Sequence, residues 1–386
     1  LMVILDASKG SQKAIGKDTA VDLLIQMIEN GPREFDFNRE QLQEVLRLGA
    51  QVFIEECTLL EVDALLDFLS SQAEQYSPTL QIPVPCMVYG DTHGQYSDLL
   101  RWFNLNGWPY ETRCVFLGDF VDRGSHGVEL FAMLTCLKVC FPDNLFVLRG
   151  NHEEESLNQL YSFATEVYNK FDGRSTGLHS FAKCLNRNIF QRNSPNRKDR
   201  RTPCTTISRD IREIVRPIDE FIKGTLACDL VWSDPDTLNT VAEYEPNFER
   251  EATVGIGQLF SQAAVKDVCK RLKVKMIIRG HQAPLHGYAR WAGGLLITLF
   301  SAPAYKGDTE ETVNLGACIE APVSGDLIVK QLKVTETVRR KRARDVHTRH
   351  KAHRSSLLDP SHNFLEVLPN AVGNDLPLNE SKIYKS

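Results

Sequence analysis

An α/β fold whose strand ends open into one cleft is predicted by three observations. A short apolar run, a polar loop and then a helix recur along the chain, and five of the runs end in functional-looking loops, four of them built around Gly, Asp, His, Asn and Arg. The composition, 42% hydrophobic and 25% charged over 386 residues, is ordinary for a globular protein with one large core or two modest ones. Ligands in such sheets bind beyond the carboxyl ends of the strands, so loops far apart in sequence can share one site.

The elements follow in order. Apolar residues recur at three and four from Asp18 to Glu29 and from Asn38 to about Leu60, where Leu42, Val45, Leu46, Val52 and Phe53 repeat, so two amphipathic helices are expected to pack on the core. Leu65–Ile82 is a transition of mixed helical and Ser/Pro character. Pro83-Val84-Pro85 leads into the first strand, Cys86–Tyr89, which precedes Gly90-Asp91-Thr92-His93-Gly94. Arg113–Leu117 precedes Gly118-Asp119-Phe120-Val121-Asp122-Arg123-Gly124, and Leu145–Leu148 precedes Arg149-Gly150-Asn151-His152-Glu153. Val274–Ile278 precedes Arg279-Gly280-His281-Gln282, and Leu295–Phe300 precedes Ser301-Ala302-Pro303. Helices are expected over Ser97–Phe103, Val128–Cys140 and Asn158–Lys170.

The organisation expected is one domain over 1–335 and a basic, disordered tail over 336–386. Residues 331–354 hold nine Lys/Arg against two acids, a local +7 that leaves −12 on the rest of a chain whose net charge is −5. A mildly acidic body argues against a nucleic-acid-binding core. No apolar run approaches the roughly 18 residues that cross a bilayer, and Leu1–Leu5 lacks the basic flank of a signal peptide. The opening at Leu1 is that expected of a fragment or incomplete start. Ten cysteines without a CxxC pair read as reduced, buried thiols, and a cytoplasmic or nuclear protein is expected. The run Arg339–Arg344 reads either as a nuclear address or as a basic surface tail.

The polar clusters carry the chemistry. Asp91 and His93, two apart in a Gly-flanked loop, can offer a carboxylate oxygen and an imidazole nitrogen to one ion. Asp119 can bridge that ion to a second, with Asn151 and His281 as further donors, a set that manganese, iron and zinc accept. Two ions sharing a hydroxide provide a nucleophile for in-line attack on phosphorus. His152, oriented by Asp122 and raised in pKa by it, can protonate the leaving alkoxide, and Arg123 offers a planar fork to phosphate oxygens. Arg149 and Arg279 read as buried scaffolding.

These motifs closely resemble the phosphoprotein phosphatase family of serine/threonine phosphatases, which includes the type-1, type-2A, calcineurin and type-5 enzymes. The resemblance runs from about Glu40 to Lys330 and extends to Leu230-Val231-Trp232-Ser233-Asp234-Pro235 and Phe300-Ser301-Ala302-Pro303-Ala304-Tyr305. It implies a four-layer metallophosphatase fold, a central β-sandwich flanked by helices with two divalent metals at the strand ends. It also implies Asp91, His93, Asp119, Asn151 and His281 as metal ligands, His152 with Asp122 as the acid pair, Arg123 with Arg250 as the phosphate clamp, and Tyr305 as the residue closing the site. Phosphoprotein substrates and regulatory subunits are the partners it implies, with no nucleic acid and no membrane.

The sequence departs from the family pattern in one consequential place. The family has two apolar strands and a His-Gly-Gly loop between about Phe190 and Ile211, and its histidine binds the second metal. Gln191–Asp210 is short, polar and free of histidine, a deletion placed at about 191–205; His179 is expected to play a surface or packing role rather than replace the ligand. Leu65–Ile82 reads as an insertion of roughly fifteen to eighteen residues relative to the family. Smaller departures are Ala304, Lys306 and Glu251. Two readings follow: a metal-dependent serine/threonine phosphatase, and a phosphatase-like binding protein that has lost turnover.

Overall fold

The structure, a computed structural model, describes residues 14–56, 60–63, 80–171, 210–307, 309–340 and 382–385. The first part of the chain runs α1 (Ala14–Asn30), α2 (Arg39–Glu55), β1 (Leu60–Asp63), β2 (Leu80–Pro83), β3 (Cys86–Tyr89), α3 (Tyr96–Asn106), β4 (Arg113–Phe116), α4 (Gly127–Cys140), β5 (Leu145–Val147), α5 (Glu155–Leu160) and α6 (Ser162–Lys170). There follow α7 (Leu226–Trp232), β6 (Asp234–Pro235), β7 (Tyr244–Pro246), β8 (Gln258–Phe260), α8 (Gln262–Leu272), β9 (Ile277–Arg279), β10 (Tyr288–Trp291), β11 (Leu296–Leu299), β12 (Gly316–Ala321), β13 (Ile328–Lys333) and β14 (Lys382–Lys385).

Side-chain alternation along the strands dictates the layers. In the sheet of order β14-β13-β12-β3-β4-β5, Met87, Tyr89, Cys114, Phe116, Leu145, Val147 and Cys318 point to one face. There they pack with the apolar faces of α1 to α4 in the largest core. The alternate residues Cys86, Val88, Val115, Phe146, Ala317 and Ile319 point to the other face and meet Tyr288, Ile297 and Leu299 of the β10-β11-β9 sheet. Leu296 faces away from that interface and is covered by Val265 and Cys269 of α8. The result is helix, sheet, sheet, helix, the four-layer arrangement expected. The central position of α4 explains its lack of a polar stripe, since all of its residues are buried. Lys138 is neutralised there by an ion pair with Glu56 and donates to the carbonyl of Pro142 at 2.9 Å.

The boundaries follow local chemistry. Asn38 starts α2 by accepting the Gln41 N–H at 2.9 Å. The helix expected over 158–170 is two helices, α5 and α6, broken at Tyr161, whose backbone is extended. The strand expected from Val274 begins at Ile277, because left-handed Lys273 closes α8 and the Val274 N–H returns to the Cys269 carbonyl at 3.1 Å. Within the tail expected to be disordered, residues 336–340 are helical and β14 pairs in parallel with β13. The rest of the tail, His179, the segment at 191–205 where a deletion is expected and residues 65–79 of the expected insertion lie outside the described residues.

Candidate metal centre and active site

Five loops from the two sheets meet at one end of the sandwich. Asp91 follows β3 and forms a bridge to Phe300, just after β11, which ties the two sheets together at the site. Its two carboxylate oxygens accept the His281 N–H, both at 3.0 Å. The His93 ring lies 3.9 Å from the Asp91 carboxylate. His152 donates its backbone N–H to Asp119 at 3.0 Å, and His281 Nδ1 stands 4.0 Å from the same carboxylate. His281 Nδ1 also lies 2.7 Å from Asn151 Oδ1. Donor atoms of His93, Asp119 and His152 fall within 4.8 Å of one another.

Close packing draws these groups together. A Cβ on Gly150 would lie 2.0 Å from Asp119 Oδ1, and one on Gly280 would lie 2.2 Å from Asp91 Oδ1, so each carboxylate rests against a residue without a side chain. The backbone is also held in sparsely populated conformations. His93, Asp119, Asp122, Arg123 and His281 have φ of 39°, 53°, 65°, 69° and 75°, and a left-handed non-glycine residue costs roughly 1–2 kcal/mol. Glu153 does much of the holding: its carboxylate accepts the N–H groups of Asp119, Phe120 and Gly150 at 2.7–2.8 Å.

Around this cluster stand the other predicted residues. His152 Nδ1 is 2.8 Å from Asp122 Oδ2, and Asp122 is fixed further by Asn158 Nδ2 at 3.2 Å and the Phe163 N–H at 2.8 Å. Tyr305 stacks on His93, with ring centroids 5.0 Å apart and planes inclined by 21°. Arg250 Nε donates to Asp234 Oδ2 at 2.6 Å, and Arg279 donates to Asp234 Oδ1 at 3.0 Å. Arg279 and Arg149 are scaffolding, as expected; Arg149 donates to the carbonyls of Glu153 and Ile218, with Phe221 against its guanidinium.

Burial dominates the electrostatics. It pushes Asp91 up to about 7, against the Arg279 charge and the His281 N–H, and raises Asp119 well above the usual range with help from Asp91 and Glu153. Burial also holds His93 down to about 3 and His281 well below the usual histidine value. His152 differs from expectation: desolvation, then Arg123 and Arg250, hold it down to about 3 despite its bond to Asp122. Asp122 is itself pushed up to about 6 by burial.

Neutral imidazoles beside crowded, buried carboxylates make a donor set that lacks positive charge. Two further features fit the residues to a metal. His93 Nδ1 is engaged by the Val121 carbonyl at 2.9 Å, which leaves Nε2 as its lone-pair nitrogen, and His281 Nε2 is buried without a hydrogen-bond partner.

Comparison with known proteins places this arrangement. Residues 84–285 match the model of the calcineurin-like phosphoesterases. Over 292 residues the chain is 33% identical to the serine/threonine-protein phosphatase PP1-delta of Caenorhabditis elegans, an alignment covering 71% of this chain and 82% of the relative. The chain belongs to the serine/threonine phosphatase family. A solved Saccharomyces cerevisiae serine/threonine phosphatase, described as similar to human PP5, shares the fold with a TM-score of 0.64 at 23% identity, covering 82% of this chain and 96% of the other.

In this phosphatase all ten predicted site residues come to one end of the sandwich. Several contributors escape a reading of sequence. Glu153 stands inside a recognised motif, yet its carboxylate accepts backbone N–H groups of the Asp119-Phe120 loop as well as of its own, which no residue pattern reveals. Asp234 lies in a segment that carries the resemblance, but its pairing with both Arg250 and Arg279 depends on loops 16 and 45 residues away. Asn158, Tyr161 and Ser162 carry no local signal.

Proposed function

We propose that the chain hydrolyses phosphoserine and phosphothreonine in proteins, with two divalent ions of the manganese, iron or zinc kind held by Asp91, His93, Asp119, Asn151 and His281. The observation that carries this reading is the convergence of these five donors around buried carboxylates, with His281 Nε2 lacking a partner among them. When bound, such ions supply Lewis-acid polarisation of phosphoryl oxygens and an acidified water for direct attack on phosphorus.

The remaining steps belong to side chains. Arg123 and Arg250 bind the phosphoryl oxygens, and the charges of both being felt at His152 supports a shared neighbourhood for the clamp and the acid. Asp234 anchors Arg250 through Nε. Asp122 holds His152 Nδ1, so Nε2 is the nitrogen that passes a proton to the leaving alkoxide. Burial is the main cause of the neutral ring, and a phosphate dianion between the two arginines would offset the charges that add to it and so favour the imidazolium. Tyr305, stacked on His93, closes the apolar side of the site.

The catalytic domain is read as 1–335 with 336–386 as a basic tail, and specificity as borrowed from regulatory subunits in the cytoplasm or nucleus. No described helix is long and apolar enough to cross a membrane. Manganese-dependent phosphate release from a phosphoserine peptide, together with metal content per chain, tests the reading. Release abolished in Asp119→Asn and His152→Ala is the expected result. No release with one ion or fewer per chain would sink it and favour the phosphatase-like binding protein, toward which the missing His-Gly-Gly segment points.

A further inference from the structure

We infer that Tyr161 and Ser162, at the break between α5 and α6, are positioning residues that hold Arg123 ready for phosphate. The inference rests on the reading of Arg123 as a phosphate ligand.

Asp122 and Arg123 are consecutive non-glycine residues in left-handed backbone, at φ of 65° and 69°. Two such residues in a row persist only where surrounding groups over-determine them. Four of those groups come from the six residues Asn158–Phe163, and they divide the task. Asn158 Nδ2 and the Phe163 N–H hold the Asp122 carboxylate, at 3.2 and 2.8 Å. Ser162 Oγ accepts the Arg123 N–H at 2.7 Å, and the Tyr161 ring lies under the guanidinium, its centroid 4.4 Å from Arg123 Cζ.

The same ring stands 5.1 Å from the His152 ring, so it packs against the acid as well as the arginine. A guanidinium laid on an aromatic face has its plane fixed before substrate arrives. Phosphate then meets a preformed fork, and the rotamer entropy of a long side chain is lost before binding rather than during it. The extended backbone at Tyr161 is what breaks the helix, and the break sets the ring and the Ser162 hydroxyl on the same neighbour. A continuous helix would place successive side chains about 100° apart around its axis.

The test measures inorganic phosphate binding to the full, manganese-loaded chain by calorimetry, beside its inhibition constant and the KM and kcat for a phosphopeptide. Tyr161→Leu is expected to weaken phosphate on the order of five- to tenfold. Ser162→Ala is expected to weaken it by roughly two- to tenfold. Both raise KM more than they lower kcat. Tyr161→Phe and Ser162→Thr, which keep the ring and the hydroxyl, are expected to retain wild-type affinity. Combined with Arg123→Ala, Tyr161→Leu should add no further loss, because the ring acts through the arginine.

Unchanged phosphate affinity in Ser162→Ala and Tyr161→Leu, with affinity lowered in Arg123→Ala, overturns the positioning role and leaves the phosphate clamp standing. Unchanged affinity in Arg123→Ala removes the clamp itself. Should Tyr161→Leu shift the melting temperature by more than a few degrees, Ser162→Ala decides alone, and its unchanged affinity overturns the inference.

Discussion

His152, the proposed acid, is reached from two sides that oppose one another. Asp122 bonds its Nδ1, while burial and the charges of Arg123 and Arg250 keep the ring neutral. His152→Ala is accordingly expected to lower kcat by about 10²- to 10⁴-fold while metal content per chain stays at the wild-type value, a separation that steady-state kinetics beside elemental analysis can check. Asp122→Asn should act in the same direction with a smaller loss, since its one amide oxygen can still accept from either Asn158 or Phe163, though not from both. At this scale the sequence was informative wherever chemistry demands a rare residue. His or Asn beside Asp in a Gly-flanked turn has few structural excuses, so the residues that meet at the candidate site could be named. Glu153, Asp234 and Tyr161 could not, because their roles lie in contacts with loops distant in the chain.

Helices and strands were legible where period and punctuation agreed. Cys86–Tyr89 is the strand expected, and α4 was anticipated to within one residue. The break at Tyr161 was missed because it has no Gly or Pro to mark it, and its stabilising contacts are with the Asp122-Arg123 turn. The junction of α4 and α6 also carries a pH dependence. Glu166 accepts the Gly127 and Val128 N–H groups at the start of α4, both at 3.0 Å, and burial together with the nearby Glu129 pushes its carboxyl up to about 7. A folded-state pKa above the unfolded value means that the group favours the fold fully below pH 4.5, less so between 4.5 and 7, and not at all once pH exceeds 7. Wild type should therefore lose on the order of 1–3 kcal/mol from this group between pH 5 and 8. Glu166→Gln should lack that loss, which paired urea titrations at the two pH values would reveal.

Across the whole molecule, the proposed reading would give the first ion Asp91, His93 and Asp119, and the second Asp119, Asn151 and His281 without the histidine that the family pattern supplies. Manganese titration of the chelator-treated chain is expected to show two events of separated affinity. The tighter one should survive His281→Ala and disappear in His93→Ala, as read by calorimetry. Saturation should raise the melting temperature, because ions that bind only the folded site stabilise by mass action and relieve the buried carboxylates. A single event lost equally in both variants would contradict this assignment. The sandwich itself was legible only through resemblance; alternation told which residues share a strand face, but not which second sheet that face would meet. The pairing of β14 with β13 had no signal, since a four-residue strand is too short to show a period.

The five left-handed residues at the strand ends have a bearing on how this chain can change. A glycine at any of His93, Asp119, Asp122, Arg123 or His281 would relax the backbone and delete a working side chain in one step. Selection for heat tolerance alone therefore pulls these positions away from hydrolysis. In this chain all five positions carry side chains rather than glycine.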